Sequence, residues 1–366
     1  MRRIFAFRSH YQIIKTFLQK YERWLMPATL VFGFVVDYVT FINIQINTAL
    51  TILFVHFFVC ACAIAFTYAY DAGKISSKLR YVRLFAPFLV QFNFGGMLSN
   101  AFIFYWFSGS LWVSWPFILL FVALMVANDT LRHYYVRSTV QISVFFFATF
   151  TIVSVSLPFI FNSISPLFFL LSGVLALGFI SGFVWLLGRI AGGGKISRQS
   201  LSISIVAIFL ITNLFYFTNL IPPVPLAIRE TGIYHSVERR GGQYILRVER
   251  ENFWEKMSPK KTIHLEAGRP AYVFSAIYAP KALNTAIAHE WQYYDETKSE
   301  WVQKDRLSFN LIGGRREGFR GYSQKSTLPL GSWRVYIKTQ RGQILGRVRF
   351  DIVRPTTEVE LFEIVK

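Results

Sequence analysis

Asn219–Ala227 reads NLIPPVPLA, and the chain changes character across it. Pro222, Pro223 and Pro225 remove backbone donors and clash with a preceding turn, so no helix passes through this stretch. Before it, apolar residues run almost unbroken. After it, Tyr244, Leu246 and Val248 alternate with Ile245, Arg247 and Glu249, while Leu307, Phe309 and Leu311 alternate with Ser308 and Asn310. Trp333, Val335 and Ile337 alternate with Arg334, Tyr336 and Lys338 in the same way. A period of two marks strands with one buried face. SWRVYIKT, QRGQ and ILGRVRFDIV, residues 332–353, read as the clearest hairpin. Several such strands separated by Gly, Pro and polar turns predict an antiparallel β-sandwich of immunoglobulin-like type.

Upstream of the prolines the period is helical. Seven runs of about 20 residues lack Lys and Arg, and each as a helix can cross a hydrocarbon core of roughly 30 Å. They are Leu25–Ile44, Ala49–Tyr70, Leu84–Trp106, Trp112–Asn128, Ser138–Ile160, Leu167–Gly188 and Ser200–Leu220. The predicted fold is an all-α membrane bundle of seven transmembrane helices followed by an all-β sandwich. Residues 1–24 form a basic segment, 25–220 the bundle, 221–228 a Pro-rich linker and 229–366 the β domain. In the first segment Ile4, Phe7, Tyr11, Ile14, Leu18 and Tyr21 make one apolar stripe, the pattern of a helix lying in the membrane interface or of a basic juxtamembrane arm.

Orientation follows from the basic residues of the short connections. With the N-terminus inside, residues 1–24, 71–83, 129–137 and 189–199 hold six, four, two and three Lys or Arg, and the connections 45–48, 107–111 and 161–166 hold none. An odd number of spans then sends the β domain across the membrane, into the periplasm if the chain sits in a bacterial inner membrane. The formal charge of +19 does not point to nucleic acid, because fifteen of the 39 basic residues serve topology. The tail holds 24 basic and 16 acidic residues, on the wrong side for DNA or RNA. Membrane lipid, an anionic lipid headgroup, an acidic glycan or an envelope protein is the partner expected. Cys60 and Cys62 lie in the second run, so the exported tail contains no thiol and relies on its own core. No cleavable leader is evident, since the first apolar run begins late and has no small-residue cleavage pattern.

Two groups of residues could carry chemistry. In the bundle, Asp37 is the sole carboxylate inside a run, and reflection about the short connection after the first span sets His56 opposite it. Such a pair serves as a proton relay, a transport coupling site or a structural link, with Asn100 as a further member. In the tail, IGGRREGFRGYS at 312–323 sets Arg315, Arg316 and Arg320 among four glycines, followed by Tyr322 and Lys325. Glycines allow positive φ and close backbone approach, and Arg forks suit phosphate or carboxylate, so the loop is a candidate anion site. The competing account is strand-ending glycines with solvated edge charges. His264 and His289 share no metal-ligand spacing, and Ser323 has no nucleophile motif, so neither a metal, a cofactor nor a catalytic set is expected. Trp254, Trp291, Trp301 and Trp333 are expected mostly in the core, and Gly178 and Gly182 make a small-residue helix face.

GFVVDYVTF, QFNFGG, AND, NLIPPVPLA, GIYHSVER, HEWQYYD, GGRREGFRGYS and GSWRV together resemble an uncharacterised family of bacterial polytopic membrane proteins with a C-terminal domain of unknown function. The resemblance covers nearly the whole chain and implies the two-part architecture. It implies no catalytic residues. The expected function is a non-enzymatic inner-membrane scaffold or sensor whose β domain binds an anionic envelope ligand or a protein. The alternative is a proton-coupled transporter or flippase-like protein using Asp37 and His56. A membrane enzyme acting on lipid-linked sugars ranks below both.

Overall fold

The computed structural model describes residues 46–108, 111–130, 138–191, 197–280, 283–313 and 318–366, with isolated positions before residue 46. The first run with Asp37, most of residues 1–24, the glycines 192–194, and Arg315 and Arg316 lie outside the described residues. The chain forms two compact units.

The helical unit contains α1 (Ile46–Asp71), α2 (Arg80–Ser108), α3 (Leu111–Thr130), α4 (Ser138–Phe161), α5 (Pro166–Ala191) and α6 (Arg198–Phe217). Among the described residues four helices, α1 from Thr48, α4, α5 and α6, are long and apolar enough to cross a membrane. Helices α2 and α3 occupy the expected third and fourth runs. Buried Gln91, Asn93, Ser99 and Asn100 make α2 the least apolar of the six. A cluster of rings joins three helices: Phe145 of α4 lies 5.4 Å from Phe57 of α1 and 5.3 Å from Phe183 of α5. Hydroxyls inside the helices bond one turn back, Thr149 to the Phe145 carbonyl and Ser156 to that of Ile152, so they need no partner helix. A Cβ added at Gly178 or Gly182 would meet nothing, whereas one at Gly173 would lie 2.8 Å from Phe209; the close approach is one turn earlier than the expected glycine face.

The second unit is β-rich, and it also takes in residues 105–115 and 158–164. Its strands are β1 (Ala227–Tyr234), β2 (Ser236–Arg240), β3 (Gln243–Glu249), β4 (Lys261–His264), β5 (Ala271–Tyr278), β6 (Asn284–Asp295), β7 (Glu300–Ile312), β8 (Phe319–Lys325), β9 (Gly331–Thr339), β10 (Ile344–Val353) and β11 (Leu361–Val365), with the short helix α7 (Phe253–Met257) between β3 and β4. They form a five-stranded sheet β4-β10-β9-β6-β7, a three-stranded sheet β1-β5-β8 and a second three-stranded sheet β11-β3-β2. The main core fills the space between the first two, with Trp291, Trp333 and Phe350 at its centre. The third sheet covers the outer face of β5 through Tyr244, Leu246, Phe274 and Ala276. The result is a sandwich with a third layer.

Three expectations change. The sheets are not wholly antiparallel, because β4 pairs parallel with β10. The Pro-rich segment is no free spacer: Leu226 belongs to the main core, and Gln343 donates to the Ile221 carbonyl. Trp291 and Trp333 are core as expected, but Trp254 is 77% exposed on α7, a helix of five residues that sequence periodicity cannot resolve.

Candidate functional site

Strand β8 carries the described half of the Arg-Gly stretch, and its neighbours explain the glycines. A Cβ at Gly313 would lie 1.7 Å from the Pro280 carbonyl oxygen, and one at Gly321 would lie 2.5 Å from the Phe309 ring. Gly318 has φ +92°, and a Cβ there would lie 2.9 Å from the Ile277 carbonyl carbon. Close packing therefore accounts for three of the four glycines without a ligand.

The side chains of β8 divide between two faces. Phe319, Gly321, Ser323 and Lys325 point toward the five-stranded sheet; Arg320, Tyr322 and Gln324 point away from it. On the outward face Tyr322 is exposed and lies 6.3 Å from the Tyr244 ring and 6.1 Å from that of Tyr272. The Tyr244 hydroxyl donates to the Arg320 carbonyl at 3.2 Å, and the Arg239 guanidinium lies 5.9 Å from the Tyr244 ring. Three tyrosines with Arg239 and Arg320 thus gather where the second and third sheets meet. Lys325 belongs to the other face. Its ammonium is paired with Asp305 across the open edge of the sandwich and sits 5.9 Å from the Trp333 ring. The five residues of the expected anion set are therefore not one cluster: Arg320 and Tyr322 are brought together, Lys325 is turned away, and Arg315 and Arg316 lie outside the described residues.

The inward face holds a polar group that sequence spacing does not reveal. His289 of β6 bonds through Nε2 to Ser275 of β5 at 2.9 Å and through Nδ1 to Ser323 of β8 at 2.8 Å. The Trp291 indole N–H donates to the same Ser323 oxygen at 3.0 Å. These bonds cross the core from one sheet to the other. Ser323 and His289 have the spacing of a nucleophile and its base. Burial, however, depresses the His289 pKa to about 3, and both side chains are buried between the sheets. It is a clamp between the two sheets. His289 is fully buried.

A second polar junction joins the layers at Glu249, the last residue of β3. One carboxylate oxygen accepts from His235 Nε2 at 2.7 Å and from the His264 backbone N–H at 2.6 Å; the other meets His264 Nδ1 at 2.7 Å. Burial alone would raise the Glu249 pKa, but the bonds from His235 and His264 outweigh it and hold the carboxyl below its ordinary value. Each imidazole bonds directly to the carboxylate, and among the described residues no group of three His, Cys, Asp or Glu is disposed to hold a metal.

In the helical unit His56 of α1 meets Asn93 of α2, Nδ1 to Oδ1, at 2.9 Å. Asn93 in turn donates to the Leu89 carbonyl, so its amide oxygen faces the histidine as an acceptor. The imidazole lies flat on Gly96, where a Cβ would approach it to 2.7 Å. Asn100 donates to the Gly96 carbonyl and does not reach His56, and its buried Oδ1 has no partner among the described residues. Asp37 lies outside the described residues, so the described partner of His56 is an amide.

A family described as protein of unknown function (DUF2914) matches residues 284–352, from β6 through β10. The C-terminal region thus carries a domain of unknown function. No curated protein is found similar to the chain. Solved structures with some likeness include a β-glucosidase from Listeria innocua in complex with gluconolactone, 12% identical over 34% of this chain and 16% of that one, with a TM-score of 0.19. Another is the alkylpurine DNA glycosylase AlkC of Pseudomonas fluorescens bound to DNA, 9% identical over 83% of this chain and 98% of that one, with a TM-score of 0.23. Likeness at that level carries no argument about fold or activity.

Proposed function

We propose that this is an inner-membrane protein of the bacterial envelope with seven spans and a cytoplasmic N-terminus. Its β region lies in the periplasm and binds an anionic envelope component, without catalysis, as a scaffold or sensor. The orientation rests on the basic residues of the connections. It agrees with the residues that cluster with the β region, 105–115 and 158–164, which contain most of two connections assigned to the outer side. The observation that carries the binding reading is the gathering of Arg320, Tyr322, Tyr244, Tyr272 and Arg239 at an exposed junction of two sheets. Arg315 and Arg316 precede that strand in the sequence.

Native mass spectra of the detergent-extracted protein test this reading. Wild type is expected to retain an anionic adduct that the Arg315, Arg316, Arg320 triple Ala variant loses. An adduct retained equally by both, or by neither, contradicts it. The second reading, proton-coupled transport, is supported by the bond between His56 of α1 and Asn93 of α2, two buried or half-buried polar groups facing each other between helices. It predicts that Asp37→Asn abolishes pH-driven flux in reconstituted vesicles, and an unchanged flux excludes it.

A further inference from the structure

The outer face of the five-stranded sheet carries an arrangement of charge that folding does not require. Along β9, Arg334, Tyr336 and Lys338 alternate with buried Trp333, Val335 and Ile337 and so point away from the core. The register sets Arg349 of β10 directly opposite Arg334 and Arg347 opposite Tyr336. On the other side of the same two residues lie Gln292 and Glu290 of β6. Like charges facing each other across an antiparallel pair are destabilising, and Arg347, diagonal to Arg334, adds a third. Glu290 offsets this charge in part, while its Oε1 accepts from the Lys338 ammonium at 2.7 Å and the Gln292 amide at 2.6 Å.

Within this group Arg334 is held rigidly. Its Nε donates to Gln292 Oε1 at 2.7 Å, and its guanidinium carbon lies 4.2 Å from the Trp301 ring centre and 5.0 Å from that of Tyr336. Among the described residues nothing accepts from its two terminal nitrogens. A guanidinium fixed by stacking and by one hydrogen bond presents a planar fork whose ordering cost is already met before a ligand arrives. Partial burial, and then the charges of Arg347 and Arg349, lower the proton affinity of Arg334, against the pull of Tyr336 and Glu290. An incoming anion would relieve that repulsion. All these residues lie within 284–352, the segment that the family of unknown function shares.

We infer that this face is an oxyanion site in which the Arg334 fork takes a phosphate group and Arg347 and Arg349 supply the charge that favours phosphate over a single carboxylate. The inference is independent of the β8 junction and of the side of the membrane on which the sheet lies. Two sources carry this chemistry, a soluble phosphate ester and a phospholipid headgroup.

The test uses the full-length protein in a nonionic, phosphate-free detergent, titrated by calorimetry with sn-glycerol 3-phosphate and, separately, with phosphatidylglycerol dispersed in the same detergent. Saturable binding of the soluble ester identifies the first source, and binding of the lipid alone the second. Arg334→Gln is expected to weaken the binding by about tenfold or more, and Arg334→Lys, which keeps the charge and loses the fork, by an intermediate factor. Arg349→Gln serves as a second variant if Arg334→Gln melts early. Arg269→Gln, which removes an exposed charge that belongs to neither site, is expected to bind as wild type, so that the loss at Arg334 is local and not an effect of net charge. Failure of wild type to bind either probe, or equal binding by wild type and a folded Arg334→Gln protein, overturns the inference.

Discussion

The two units of this chain satisfy buried polar groups in opposite ways. In the helices most bonds are local: Thr149, Ser156 and Thr212 each donate to a carbonyl four residues back, within one element. In the β region they are long-range: His289, Ser275, Ser323 and Trp291 come from three strands of two sheets and depend on one another. A locally bonded hydroxyl can be deleted together with its demand for a partner, whereas removing one member of a cross-sheet group strands the others. The helical unit should therefore tolerate polar deletions that the β region cannot.

Acid should expose that difference most strongly. His289 is held neutral in the fold, with a pKa of about 3 against an ordinary 6.5. The unfolded chain takes up this proton first, so the stabilisation is complete above 6.5 and is lost as pH falls toward 3, by on the order of 5 kcal/mol at the low end. Glu249, whose folded pKa is lowered, adds a loss of the same sign as pH falls through that value. Tryptophan near-ultraviolet dichroism of the β region, followed on heating between pH 4 and 8, should show a falling melting temperature toward acid, and an unchanged temperature would contradict the clamp. His289→Leu at neutral pH leaves the Ser275 and Ser323 hydroxyls without the imidazole, while the Trp291 N–H keeps Ser323, and should cost about 3 kcal/mol. The same melting experiment reads it, and a loss below about 1 kcal/mol would show the network to be incidental.

Backbone approach comes next. Gly313→Ala drives a methyl into the Pro280 carbonyl and is expected to cost about 2 kcal/mol, with Gly321→Ala smaller because the Phe309 ring can turn aside. At the bottom of the scale, Ser156→Ala in α4 should change helical-unit stability by less than about 1 kcal/mol, since donor and demand disappear together. A larger loss there would remove the contrast between the units.

Much of this architecture is legible from residue order alone. The strands β3, β7, β9 and β10 follow the twofold alternation, and the prolines at 222–225 mark the point where helices end. What sequence reading misses is long in range. Nothing in local pattern says that Leu361–Val365 pairs with β3, that β4 runs parallel to β10, or that Ser275, His289 and Ser323 share one site. The candidate anion loop shows the same limit. Its composition is visible, but alternation within β8 sends Arg320 and Tyr322 one way and Lys325 the other, and three of its glycines answer to Pro280, Ile277 and Phe309, far away in the chain. Depth in the bilayer pairs His56 with Asp37, while its described bond to Asn93 depends on which face of α2 turns toward α1.

The side of the membrane that the β region occupies decides which ligands can reach it. The most direct measurement replaces Lys298, in the turn between β6 and β7, by cysteine and treats intact spheroplasts with a membrane-impermeant maleimide, with the parent chain and its Cys60 and Cys62 as the control. Labelling before lysis is the predicted result. Labelling that appears only after lysis would place the β region in the cytoplasm and contradict the seven-span reading and the envelope ligand with it.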